Sequence, residues 1–124
     1  MVTREEIADF LFDLKSAVRG GLYHLVERQR NLQGLIDLGL AEPRDAVPIL
    51  LSLTPENYSS GPEPDRDRPG EEVWVFGIDV QGIEAYVKVK LIEDRRTGIG
   101  CRALILGFHP AEHPLDYPLR GGGP

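Results

Sequence analysis

Two neighbouring segments in the C-terminal third of the chain alternate apolar and polar residues with the period of a β-strand. They cover residues 84–92 and 101–109, and a charged, glycine-containing stretch at 94–98 separates them. Because strand side chains point alternately to the two faces of a sheet, this pattern predicts an antiparallel hairpin. One register is favoured, since a slip by one residue would bury both Lys88 and Lys90 without partners.

This register gives the hairpin an apolar face and a polar face. The apolar face pairs Ala85 with Phe108, Val87 with Leu106, and Val89 with Leu104. The polar face places Tyr86, Lys88 and Lys90 opposite Gly107, Ile105 and Ala103. His109 is expected on the diagonal to Tyr86, at roughly 7 Å. A phenol, an imidazole and two ammonium groups are therefore predicted to share one surface.

The N-terminal half of the chain is predicted to be mainly helical. Thr3 and Glu6 have the spacing of a capping box, and apolar residues follow at helical spacing before Gly20: Ile7, Phe10, Leu11, Leu14 and Val18. Residues 22–26 are a short apolar run that predicts an edge strand. Asn31 is expected to cap a second helix, and Pro43 is expected to begin a third.

The middle of the chain connects these helices to the predicted sheet. Residues 58–70 are rich in Pro, Gly and charge and predict a long polar loop. Residues 72–77 predict another strand, with Trp74 and Phe76 in the core, and Gly82 suits a hairpin turn with positive φ. The expected structure is an α+β fold with N-terminal helices on one face of a twisted antiparallel sheet. A single domain would cover residues 1–120, followed by a flexible Gly-rich tail at 121–124.

Composition narrows the classes of function. The net charge of −6 argues against broad electrostatic binding of nucleic acid, although the C-terminal hairpin is not acidic overall. The single cysteine is typical of a reducing compartment. A polar N-terminus and the absence of an apolar run of about 20 residues predict a cytoplasmic protein without a membrane segment.

The polar face carries residue types that can cleave RNA without a metal or cofactor. Attack by the 2′-hydroxyl needs a proton acceptor, a proton donor and positive charge near the phosphate. His109 and Tyr86 can transfer protons, and Lys88 can stabilise negative charge. A surface cluster without catalytic function is the alternative. A second alternative is a zinc-dependent hydrolase using His109, Glu112 and His113, which match a zinc-peptidase string that requires a helix.

Four segments resemble the motility quorum-sensing regulator (MqsR) family of toxins. They are LSLTPENY at 51–58, EVWVFG at 72–77, AYVKVKL at 85–91 and GFHPAEHPL at 107–115. The family's tyrosine falls on Tyr86, and a basic residue that follows a strand phenylalanine falls on His109. A lysine and a glutamine that well-known members carry are replaced by Ser59 and Val75.

The resemblance implies a RelE-like messenger-RNA interferase from a bacterial type II toxin–antitoxin pair. Such a protein would cut single-stranded mRNA and would be neutralised by a cognate antitoxin protein. The expected catalytic residues are Tyr86 and His109, which match the family pattern, and Lys88, which follows from the geometry of the polar face alone. The expected RNA-binding residues are Lys90, Tyr58, Ser59 and His113. A catalytically inactive RNA- or protein-binding module of the same fold remains the main alternative.

Overall fold

The computed structural model describes residues 2–93 and 100–120. It contains a five-stranded mixed sheet with helices on one side, which confirms the predicted α+β class. The elements are α1 (Arg4–Arg19), β1 (Tyr23–Leu25), α2 (Gln29–Asp37), α3 (Val47–Leu51), β2 (Tyr58–Pro64), β3 (Glu72–Val80), β4 (Ile83–Glu93) and β5 (Cys101–Pro110). Short 3-10 turns occupy Pro43–Ala46 and Pro55–Asn57. The strand order is β1-β5-β4-β3-β2.

Helix α1 forms as its sequence pattern predicts. The Thr3 hydroxyl accepts a hydrogen bond from the Glu6 amide, and the Glu6 carboxylate accepts one from the Thr3 amide, both at 3.1 Å. All five predicted apolar residues are buried in the core. Phe10 stacks on Trp74 with ring centroids 4.4 Å apart, so α1 packs on the apolar face of the sheet.

The sheet is mixed rather than fully antiparallel. Strands β2 to β5 pair antiparallel with their neighbours, but β1 pairs parallel with β5, with Tyr23 opposite Ala103. The predicted edge strand at 22–26 is thereby confirmed, although its direction was not foreseen. The turn between β3 and β4 has positive φ at Gln81 and Gly82, as a two-residue hairpin turn of type I′ requires.

The register of β4 and β5 differs from the sequence prediction by two residues. Val87 lies opposite Phe108 and Tyr86 lies opposite His109, and beyond Lys88 a β-bulge reduces the difference from the prediction to one residue. Ile105 and Ala103 therefore point into the core. The prediction had placed Leu104 and Leu106 there instead. The predicted hairpin turn at 94–98 lies outside the described residues, as does the predicted tail at 121–124.

Asn31 stabilises this bulge instead of capping α2. Arg28 occupies the N-cap position, and Asn31 is fully buried inside the helix. Its amide nitrogen donates to the carbonyls of Val26 at 2.8 Å and Leu106 at 3.1 Å, and its oxygen accepts from the Phe108 amide at 3.1 Å. The Asn31 side chain thus provides hydrogen-bond partners for the backbone of β5 beyond the end of β1, where no strand pairs with it. Such partners are needed because a buried backbone group without one is costly.

The predicted loop at 58–70 is wrong in its first half. Residues Tyr58–Pro64 form the edge strand β2, which pairs irregularly with β3. Edge strands tolerate the prolines that suggested a loop, because their outer amides have no partner in the sheet.

None of the helices within 2–93 and 100–120 has the length and apolar composition that crossing a bilayer requires.

Candidate active site

Tyr86 and His109 form a directly opposed pair on the polar face of the sheet. They are cross-strand partners on β4 and β5, and their rings stack with centroids 5.1 Å apart and planes inclined by 20°. The shifted register brings them closer than the predicted diagonal. Two groups that can exchange protons are therefore in van der Waals contact.

This pair lines a pocket of about 290 Å³. Its other lining residues come from the start of α2 and from the segment after β5: Arg30, Glu112, His113, Pro114 and Leu115. His113 was predicted to bind RNA, and it is exposed at this pocket. Arg30 was not predicted as a site residue, because nothing near it in the sequence indicates where it points.

The hydrogen bonding of His109 leaves one ring nitrogen available to a ligand. The side chain is only 8% exposed, and its Nδ1 lies 2.8 Å from the carbonyl oxygen of Pro110. Because a carbonyl oxygen can only accept, Nδ1 carries the hydrogen and the neutral ring has its lone pair on Nε2. Nε2 makes no hydrogen bond with any residue in the described ranges. Neutral His109 is thus arranged as a proton acceptor.

Tyr86 is arranged as a proton donor. Burial raises the pKa of its hydroxyl, the charge of Glu63 raises it further, and the charge of Arg30 lowers it. The phenol therefore stays protonated at neutral pH. Its hydroxyl has no hydrogen-bond partner among the residues that the structure describes, so it can donate to a bound ligand.

Gly107 makes room for Tyr86 and Lys88 on this face. It lies opposite Lys88, and a Cβ atom there would approach the Tyr86 ring to 3.2 Å and the Lys88 Cβ to 3.4 Å. Lys88 lies two residues along the same strand face, roughly 7 Å from Tyr86. It is not among the residues that line the pocket, and it forms no ion pair with the described part of the chain.

Three of the predicted RNA-binding residues lie away from this pocket. Lys90 is only 4% exposed, and its ammonium group binds the carboxylates of Asp65 at 2.5 Å and Glu71 at 2.6 Å. Tyr58 is buried on the apolar face, where its ring meets Trp74 edge-on. Ser59 is half-buried on β2, two strands from β4.

Glu84 holds in place the segment around Leu115, which lines one side of the pocket. Its carboxylate accepts hydrogen bonds from the Leu115 amide at 3.2 Å and from the Tyr117 hydroxyl at 2.5 Å. Burial and this carboxylate together raise the pKa of Tyr117 to about 12. The side chains of Leu115 and Tyr117 lie over Gly77, where any Cβ atom would overlap them. The segment after β5 is thereby packed onto the polar face.

The geometry does not match the zinc-peptidase string. His109 lies on β5, and residues 111–113 do not form the helix that would bring His109 and His113 to one side. Glu112 forms an ion pair with Arg30. No group of three potential metal ligands occurs within 2–93 and 100–120.

Comparisons of the chain with protein-family models, curated proteins and solved structures found no match. The resemblance to MqsR-type toxins therefore stays a prediction from sequence.

Proposed function

We propose that the chain is a metal-independent endoribonuclease, an mRNA interferase toxin of a bacterial type II toxin–antitoxin pair. The observation that carries this proposal is the stacked Tyr86–His109 pair at the pocket, with a proton acceptor on one ring and a proton donor on the other. The mRNA substrate and the cognate antitoxin follow from the sequence resemblance, and the cytoplasmic location follows from the composition of the chain and its polar N-terminus.

The proposed reaction is an internal transfer of the phosphate. Nε2 of His109 takes the proton of the ribose 2′-hydroxyl, and the 2′-oxygen attacks the adjacent phosphorus. The bond to the 5′-oxygen breaks, and that oxygen takes the proton of the Tyr86 hydroxyl. The products are a 2′,3′-cyclic phosphate and a 5′-hydroxyl end. Solvent then returns a proton from His109 to the phenolate.

Lys88 supplies positive charge in this scheme. Negative charge grows on the phosphate oxygens as the phosphorus becomes pentavalent, and a nearby ammonium group stabilises it more than the starting state. A pocket of about 290 Å³ suits one nucleotide of a flexible strand rather than a duplex. The size of the pocket therefore supports a single-stranded substrate.

The direct test is cleavage of labelled single-stranded RNA by the purified protein in EDTA. We expect Tyr86→Phe and His109→Gln each to slow cleavage by about 10²- to 10⁴-fold, since each removes one proton-transfer group. Replacing the reactive 2′-hydroxyl by hydrogen should abolish cleavage. The matched controls Tyr23→Phe and His24→Gln lie on β1 and should cleave like the native chain.

Expression in a bacterial host provides the second test. Growth arrest with new mRNA 5′ ends, both lost in His109→Gln, is the expected result. Intact RNA and normal growth with folded native protein would contradict the proposal. They would favour the non-catalytic binding module, which is consistent with the engagement of Lys90 by two carboxylates and the burial of Tyr58.

A further inference from the structure

A third cation of the polar surface, Arg30, lies at the pocket itself. It is the second residue of α2, and it lines the pocket together with Tyr86 and His109. Its guanidinium forms an ion pair with Glu112, which lines the same pocket from the segment after β5.

We propose that Arg30 is a phosphate-binding residue of this pocket and that Glu112 is its displaceable counter-ion, which an incoming phosphate group replaces. This deepens the proposed ribonuclease function and rests on it for the identity of the phosphate as part of RNA. The binding of phosphate by Arg30 can be measured without RNA cleavage.

The position of Arg30 is fixed by the packing of α2 against β5. Asn31, the next residue, donates to and accepts from the backbone around β5 and the end of β1. One turn further, Gly34 allows the helix to approach so closely that a Cβ would lie 2.5 Å from the Cβ of His109. The backbone of Arg30, in the first turn of this helix, is therefore held at a fixed distance from the strand that carries His109.

The ion pair of Arg30 has the properties of an exchangeable contact. The side chains of Arg30 and Glu112 are 56% and 59% exposed, and exposed ion pairs are weak. A guanidinium carries five donors, of which one carboxylate uses at most two. Arg30 therefore keeps donors for a second anion even before Glu112 moves, and its fork suits the oxygens of a phosphate.

Lys90 provides the contrast on the same face of the sheet. Its ammonium group is almost fully buried and binds two carboxylates, so an external phosphate could replace them only at a high energetic cost. Arg30 has an exposed counter-ion next to a buried imidazole whose Nε2 lacks a partner in the described ranges. An anion in the pocket would meet Arg30, His109 and the Tyr86 hydroxyl together.

Glu112 sets the affinity of the pocket in this arrangement. A phosphate bound by Arg30 lies near a carboxylate that repels it and competes for the same donors. Removing the charge of Glu112 eliminates both effects, whereas removing Arg30 eliminates the attraction itself. The two changes therefore have opposite signs, which a purely structural ion pair would not produce.

The experiment titrates inorganic phosphate and a 2′-deoxy dinucleotide, which cannot be cleaved, into the intact protein. NMR signals of the His109 and His113 rings report binding. We expect Glu112→Gln to bind both about fivefold more tightly, the effect of one unit charge at about 4 Å in a water-like medium. Arg30→Gln should bind about tenfold more weakly or worse. Glu56→Gln, which breaks the exposed Arg4–Glu56 pair and makes the same charge change, should match the native chain.

Unchanged phosphate affinity in either pocket variant, or equal tightening in Glu56→Gln, overturns the role of Arg30 and Glu112. Neither of these outcomes depends on RNA cleavage. Conversely, the expected affinities without any cleavage of RNA by the native chain support this inference and contradict the ribonuclease. Both altered side chains are more than half exposed, so circular dichroism should show native folding in each variant.

Discussion

Gly34→Ala is the most direct perturbation of the contact between α2 and the strand that carries His109. The new Cβ would lie 2.5 Å from the Cβ of His109 and from the carbonyl oxygen of Phe108, and 2.8 Å from the Cα of His109. Ordinary contacts of these atoms are near 3.5 to 4 Å. Because two of these three atoms belong to the backbone, no flexible side chain can move aside, and α2 must shift by roughly 1 Å.

The expected magnitude is a balance of two terms. Overpacking of this kind costs about 1 to 3 kcal/mol, and the upper end applies because the obstacle is backbone. Alanine in a helix is more favourable than glycine by about 1 kcal/mol, which offsets part of this cost. We therefore expect a net loss of about 2 kcal/mol in the free energy of unfolding and a lower melting temperature by roughly 8 °C.

Urea denaturation of Gly34→Ala against Gly20→Ala tests this reasoning. Gly20 is at the end of α1, has φ of −81°, and a Cβ there would meet its nearest atom at an ordinary 3.4 Å. We expect the stability of Gly20→Ala to lie within about 0.5 kcal/mol of the native value. Equal stability of the two variants would show that α2 does not constrain His109. The displaced imidazole should also slow RNA cleavage in Gly34→Ala.

Two further predictions concern the polar face and depend on pH. Lys90→Met leaves Asp65 and Glu71 without their counter-ion, and we expect the melting temperature at pH 7 to fall by about 5 to 10 °C. The hydrogen bond from Lys90 lowers the pKa of Asp65, so the stabilisation that this ion pair gives the folded state is present above about pH 4 and is lost as the pH falls further. A loss of melting temperature in Lys90→Met that is as large at pH 3 as at pH 7 would contradict this. Tyr117→Phe removes the hydrogen bond to Glu84 and should cost about 1 to 2 kcal/mol in urea denaturation at pH 9. Because the folded pKa of Tyr117 is raised to about 12, that difference should shrink between pH 10 and pH 12, and a constant difference would refute the role of this hydroxyl.

The elements that the sequence predicted correctly depend on residues close to one another in the chain. The capping box of α1 spans four residues, and the turn at Gln81 and Gly82 depends on two. Trp74 and Phe76 were placed correctly in the core because alternation within one strand is a local property.

The errors arise where distant residues change the local preference. The bulge in β5 is satisfied by Asn31, 75 positions before Leu106, so alternation alone predicted the wrong register. Lys90 was placed on the surface because an unpaired buried charge is costly, but Asp65 and Glu71, 25 and 19 positions away, accompany it. Burying an unpaired charge is indeed costly, but the charge of Lys90 is paired.

The candidate site shows the same division. Tyr86 and His109 were predicted to be neighbours from strand alternation, and the structure brings them into contact. Arg30 reaches the pocket only because α2 packs against β5, and that packing depends on Asn31 and Gly34. The pairing of Tyr86 with His109 could therefore be predicted from the sequence, whereas the position of Arg30 at the pocket could not.

The way the sheet ends on both sides restricts how another protein can bind this chain. On one side β1 has only three residues, and beyond it the side chain of Asn31 already takes the backbone groups of β5. On the other side β2 pairs irregularly with β3 and contains Pro62 and Pro64, which have no amide hydrogen to donate. Neither border offers a long row of free backbone groups within the described residues, so both are poor templates for an added strand or for edge-to-edge aggregation. A protein partner should therefore recognise a face or the pocket rather than extend the sheet.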